Sequence, residues 1–166
     1  MFSFFEQFPK IDYQHTNVDE TIKMTNILKR VKIRDNIRNN VAFFDKYHVK
    51  DGETAEIIAE KLYGDAGLHW IVLMINGIVN PYYDWPQSIP ELNRLVNKKY
   101  GDGNRDAVHH WEDVNGYQVP STEVGATAVS NFEYEDSKNE TYRLIQLLKP
   151  EFTDNFITEF KELITK

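Results

Sequence analysis

Between Val41 and Asn76 the residue pattern changes period twice, and that order leaves few folds open. Val41, Phe43, Tyr47 and Val49 stand at even spacing, the pattern of a strand. Asp51-Gly52 supplies the turn chemistry that ends it. Thr54 then suits a helix N-cap, its hydroxyl accepting a free main-chain N–H. Ala55, Ile58, Ala59, Leu62 and Tyr63 recur at i, i+3, i+4, i+7 and i+8, an amphipathic helix stripe. Gly64 reads as the C′ residue, because glycine enters the left-handed region without steric cost. Leu68 to Ile75 is apolar nearly all round. The short link Asp65-Ala66-Gly67 and the Asn76-Gly77 stop favour a buried helix there. Strand, helix, helix in that order predicts an α+β unit with Leu62, Tyr63, Trp70 and Leu73 buried together.

The flanks read less cleanly. Phe2, Phe4, Phe5 and Phe8 crowd the start, and Pro9 interrupts any regular element. Val31-Lys32-Ile33-Arg34 alternates apolar and basic, which predicts a short half-buried strand. Lys23, Lys29, Arg30, Lys32, Arg34 and Arg38 concentrate positive charge here, opposed only by Asp35. This stretch is either a surface for an acidic partner or a solvated strand face. After the helix pair, Asn80-Pro81 makes a firm stop. Tyr82, Tyr83 and Trp85, between Pro81 and Pro86, read as a platform for sugar or stacked rings, or as a seal on the core.

Ser88-Ile89-Pro90-Glu91 is a capping box that predicts a helix through Leu92, Leu95 and Val96 to Gly101. Asn115-Gly116 predicts a hairpin closed by a type I′ turn. Ser137-Lys138-Asn139-Glu140 is a second capping box, predicting a helix through Leu144, Ile145 and Leu148 that Pro150 stops. Phe156, Ile157, Phe160, Leu163 and Ile164 stripe a last helix. That apolar face suits a partner, the N-terminal arm or the protein's own core. The expected organisation is an arm over 1–43, a central unit over 44–100, and a hairpin with helices over 101–166.

Composition narrows the chemistry. A net charge of -7, with 26 acidic against 19 basic residues, argues against nucleic-acid binding. The absence of cysteine excludes disulfides, cysteine nucleophiles and thiolate zinc sites. The longest apolar run, Trp70 to Ile75, is too short to cross a bilayer, and the start lacks the features of a signal peptide. His15, His48, His69, His109 and His110 form no metal-binding motif. His109 and His110 in a strand are expected on opposite faces, leaving one of them at most to share a metal with Glu112. No phosphate loop or nucleophile elbow occurs. The reading assigns no catalytic residue, no metal and no cofactor.

A resemblance then enters. Tyr47-His48-Val49-Lys50-Asp51-Gly52-Glu53-Thr54, Ile57-Ile58-Ala59, Leu62-Tyr63-Gly64, Trp70 and Ile75-Asn76 resemble a LysM domain. Glycan-binding LysM domains return quickly to a second strand after the Asn. Here Asn80 to Pro86 leads to the Ser88 helix instead, leaving room for a very short strand at Ile78-Val79. The wider order is carried by Phe8-Pro9-Lys10-Ile11, Arg30 to Arg34, Leu62 to Asp65, Leu68-His69-Trp70, Asn80-Pro81, Trp85-Pro86, Lys99-Tyr100-Gly101 and Leu147 to Pro150. It resembles the LysM-bearing baseplate wedge subunit of T-even-type contractile-tailed bacteriophages.

That resemblance implies a structural, non-enzymatic protein of the virion tail baseplate, made in the host cytoplasm. It would join neighbouring wedges around the central hub, in multiple copies within a symmetric baseplate. Its partners would be other wedge and hub proteins, with no nucleic acid, no membrane and no cofactor. The expected partner-binding residues are Arg30, Lys32, Arg34, Phe156, Phe160 and Leu163. A vestigial glycan groove would use Gly52, Glu53, Thr54, Asn80 and Pro81. The alternatives are a peptidoglycan- or chitin-binding LysM module and an unrecognised hydrolase.

Overall fold

Residues 4–14, 20–34, 37 and 40–165 are described by a computed structural model of the chain. Phe2, His15, Asp35 and Arg38 lie outside the described residues. Two compact units alternate in sequence. The first holds residues 1–47, 54–81 and 146–166, and the second holds 48–53 and 82–145.

In the first unit, strands β1 (Lys10–Gln14) and β2 (Thr21–Thr25) pair antiparallel. Side chains alternate across a strand, so the register Ile11↔Met24 and Tyr13↔Ile22 gathers four apolar residues on one face. All four are exposed. The other face is polar, with Lys23 Nζ 3.0 Å from Asp12 Oδ1. The arm thus contains strands, but Val31 to Arg34 is not one of them. That stretch runs without helix, turn or bend and, among the described residues, has no ladder partner. Its alternation reflects Ile33 entering the core while Lys32 and Arg34 stay in solvent.

The central pattern folds as its sequence dictates. Strand β3 (Phe44–His48) leads to helix α1 (Ala55–Tyr63). Thr54 Oγ1 accepts the Ile57 N–H, and Gly64 ends the helix at φ 72°. A 3-10 turn over Ala66–Leu68 precedes helix α2 (His69–Asn76), which Gly77 closes. Trp70 is buried, whereas Leu62, Tyr63 and Leu73 are half-buried, because α1 and α2 are short and only one side of each meets the core. Ile78-Val79 forms no strand. Instead β3 pairs with β7 (Leu144–Leu148) in a two-stranded sheet. Asn76 ties α2 to that strand: its amide donates to the Gln146 carbonyl and accepts the Gln146 N–H, both at 2.8 Å. Tyr63 Oη donates to the Leu148 carbonyl at 3.1 Å. Burial pushes that phenol's pKa well above the ordinary tyrosine value, so it remains a donor at any ordinary pH.

Leu144 to Leu148 as a strand corrects the expected helix. The helix starts earlier, at a reciprocal cap in which Ser130 N–H meets the Glu133 carboxylate and Glu133 N–H meets Ser130 Oγ. This helix, α5 (Asn131–Arg143), runs straight through Ser137, whose hydroxyl donates back to the Tyr134 carbonyl. In this strand Ile145, Leu147 and Leu148 are buried, and burial of that kind favours the strand over the helix its local pattern suggests. A 3-10 turn over Pro150–Phe152 then leads into α6 (Thr153–Thr165). Phe8, Ile33, Phe44, Ala59, Leu68, Trp70, Ile71, Ile75, Leu148, Phe160 and Ile164 form the first unit's core.

The second unit contains helix α4 (Ile89–Tyr100), helix α5 and a sheet. The short helix α3 (Pro81–Asp84) precedes it in sequence. In the sheet, β4 (Val108–Glu112) lies between β5 (Gln118–Val119) and β6 (Thr127–Ser130). The expected hairpin joins β4 to β5, but not through a type I′ turn. That turn needs positive φ at both central residues, and among the described residues only glycines have it. The loop is longer, and Asp113 Oδ1 accepts the N–H groups of Asn115 and Tyr117 at 2.9 Å. Of the aromatic cluster, Trp85 turns inward and donates Nε1–H to the Glu53 carbonyl at 2.8 Å. Tyr82 and Tyr83 are exposed, so only one of the three rings seals a core.

Candidate partner-binding groove

The N-terminal arm and the last helix meet in the first unit. Asn26 ends the β1–β2 hairpin, its N–H donating to the Pro9 carbonyl and its side chain accepting the Leu28 N–H. The chain then runs past Arg30 without helix, turn or bend. Ile33 is buried, Val31 half-buried, and Arg30, Lys32 and Arg34 exposed. Helix α6 packs its own stripe inward. Phe160 is 3% exposed, with its ring 4.6 Å from Trp70 and 5.5 Å from Phe4. Such ring contacts fix the helix's rotation as well as burying area. Phe156, at 5.9 Å from Trp70, is half-buried, and Leu163 is 45% exposed.

Between this segment and α6 lies a groove of about 470 Å³. Val31, Ile33, Met74, Phe156, Phe160 and Leu163 contribute its apolar lining. Arg30, Lys32 and Arg34 contribute its cations, and among the described residues Glu159 is its one carboxylate. Among the described residues none of the three cations forms an ion pair. The two surfaces expected separately from the sequence, one basic and one apolar, are therefore two walls of a single groove. Ile37, Met74 and Glu159, which also line it, had no local sequence signal.

With the groove in view, two comparisons fix the protein's place. Residues 1–123 match the family described as base plate wedge protein 53. The chain belongs to that family. It is also 24% identical over 194 aligned residues to baseplate wedge protein gp53 of Enterobacteria phage T4, covering 100% of this chain and 96% of that relative. This wedge family member is a structural protein of the phage tail baseplate.

The residues of the expected vestigial glycan groove fall in different units. Gly52 and Glu53 belong to the second, and Thr54, Asn80 and Pro81 to the first. Each has a local structural task or a plain surface position. Gly52 turns the chain at φ 73°. The Glu53 carboxylate accepts the Lys50 N–H at 2.9 Å, and Thr54 caps α1. Asn80 is exposed, and Pro81 opens α3.

The histidine pair of this family member departs from expectation. The register of β4 against β6 shifts between Val108 and His110, a bulge that breaks strict alternation. His109 and His110 therefore lie side by side, with their Nδ1 atoms 2.9 Å apart, rather than on opposite faces. His110 Nε2 lies 2.8 Å from the Glu112 carboxylate, which calls for a proton on that nitrogen. One of the two facing Nδ1 atoms donates to the other, in the direction the tautomers set. The His109 ring stacks on Tyr134 at 3.8 Å. Burial, and then the neighbouring His110, hold the His109 pKa below the ordinary value. Among the described residues, no group of three or more His, Asp or Glu side chains could hold a metal ion.

Proposed function

We propose that this protein joins neighbouring baseplate wedges around the central hub, without catalysis, through contacts with other wedge and hub proteins. The observation that carries this reading is the groove, where Arg30, Lys32 and Arg34 stand opposite Phe156, Phe160 and Leu163. A basic rim beside an apolar floor selects a partner by charge and holds it by burial. The exposed face of Ile11, Tyr13, Ile22 and Met24 supports the same reading. A two-stranded hairpin is marginal alone in water, and an uncovered apolar face invites association. The protein would occupy several equivalent places in a symmetric baseplate, and it needs no cofactor, nucleic acid or membrane for this task.

We also read the first unit as LysM-like. β3, α1 and α2 follow the expected order, and β7 stands beside β3 where a LysM domain has its second strand. Most of the second unit would then be an insertion between α2 and that closing strand, and the arm over 1–43 an addition before it.

Purified chain mixed with purified wedge proteins provides the test, with joining followed by sedimentation. The triple variant R30E/K32E/R34E should slow association about tenfold or more at low salt and flatten its salt dependence. An association rate equal to that of the unmodified chain at every salt concentration would remove the groove from the mechanism.

A further inference from the structure

The groove has a third property besides its charge and its apolar floor. Among the described residues, the main-chain N–H and C=O groups from Lys29 to Ile33 make no hydrogen bond. The segment runs without helix, turn or bend, and its side chains alternate between solvent and interior, so these groups offer an edge with no neighbour. An edge of this kind is a template for an added strand. Resting on the wedge reading above, we infer that the groove takes one extended, acidic segment of a partner wedge or hub protein, added as a strand along Lys29–Ile33.

Each feature selects one property of the occupant. The free main-chain groups demand a partner whose own main chain is unpaired. That excludes a docked helix, because a helix satisfies its main chain internally. The lining of Val31, Phe156, Phe160 and Leu163 demands apolar side chains on alternate residues, since a strand turns every second side chain to one face. Among the described residues, three cations against the single Glu159 call for carboxylates on the rest. Two copies of a chain of net charge -7 repel each other overall, which disfavours a second copy as the occupant. The segment from Lys29 to Ile33 would span about 16 Å, enough for a strand of ordinary length. The cavity of about 470 Å³ holds a few side chains, not a globular face.

The chain contains no cysteine, so single cysteines can carry a photoreactive benzophenone at chosen places. Leu28→Cys lies beside the groove and Glu159→Cys in its lining, and neither removes a cation or an apolar lining residue. Each labelled protein is assembled with purified wedge and hub proteins, irradiated, and its cross-linked peptides identified. Both labels should reach one partner segment, rich in Asp and Glu and alternating with apolar residues. Amide exchange at residues 29–33 should slow about tenfold or more on assembly. Cross-links to unrelated segments, a segment without carboxylates, or unchanged exchange would each overturn the inference. If the labelled chains join wedges but neither cross-links, the inference fails while the wedge reading stands. If the unmodified chain joins no wedge proteins at all, the wedge reading itself fails.

Discussion

The two units hide opposite kinds of residue. The first buries Trp70, Ile71, Val72, Ile75, Phe160 and Ile164, and its one buried polar residue among those described is Thr153. The second buries a smaller apolar set, Val49, Trp85, Leu92, Val96 and Ile145, but also Glu53, Asn131, Glu135, Asn139 and Arg143. Apolar burial is proportional to area and nearly indifferent to pH. Buried polar groups hold only while each keeps its partner. The first unit should therefore fail by cavity formation and the second by loss of single hydrogen-bonding groups.

The largest expected effect is Trp70→Ala. Trp70 is 4% exposed and stands within 6 Å of the Phe4, Phe156 and Phe160 rings. Its truncation should cost about 3–5 kcal/mol, the usual penalty for a buried large aromatic. Read by amide exchange, the loss should concentrate in α1, α2 and α6. Equal loss in α4 and α5 would break the contrast between the units.

Arg143→Leu should cost less, about 2 kcal/mol. The guanidinium donates to the carbonyls of Val49 at 3.2 Å and Gln87 at 3.4 Å and to the carboxylates of Glu140 and Asp51. Leucine keeps much of the volume but leaves the Val49 carbonyl without its donor, whereas the Gln87 carbonyl still accepts from Asn139 Nδ2 at 3.0 Å and the half-exposed carboxylates return to water. Arg143→Lys should fall between, because a point charge cannot replace the planar fork. Urea titration of the three proteins gives the order. A leucine variant as stable as the parent would show that packing, not these hydrogen bonds, holds this region.

What the sequence made legible follows the same line. Helices α1 and α2 were readable because cap, stripe and stop all lie within one short stretch, from Thr54 to Gly77. The β7 strand was not, since Leu144 to Leu148 takes its conformation from β3, far away in the chain. The bulge that pairs His109 with His110 likewise has no mark in the residue order. The residues of the groove were readable as two surfaces, a basic alternation and a helical stripe. Their juxtaposition was not, because Arg30–Arg34 and Phe156–Leu163 lie toward opposite ends of the chain. Local pattern reports what a segment prefers, whereas long-range packing decides what it meets.

The smallest effect expected concerns Glu135, and it depends on pH. Its carboxylate is buried and accepts hydrogen bonds from Lys99 Nζ and Tyr100 Oη, both at 2.7 Å. Burial by itself would raise its pKa. The two hydrogen bonds, with the charges of Lys138 and Lys99, outweigh burial and hold it below the ordinary value. The unfolded chain, with a glutamate pKa of about 4.3, therefore takes up this proton more readily than the folded one as pH falls. The contribution is complete above the unfolded pKa and is lost as pH drops through the folded one. Lys99 is half exposed, so solvent screens the pair, and its worth at pH 7 is about 1 kcal/mol. Glu135→Gln should show that deficit at neutral pH in urea titrations. The deficit should shrink toward zero near pH 3, with the change read from amides of α4 and α5. A deficit of the same size at both pH values would mean that Glu135 acts by shape alone, and that the second unit is no more charge-dependent than the first.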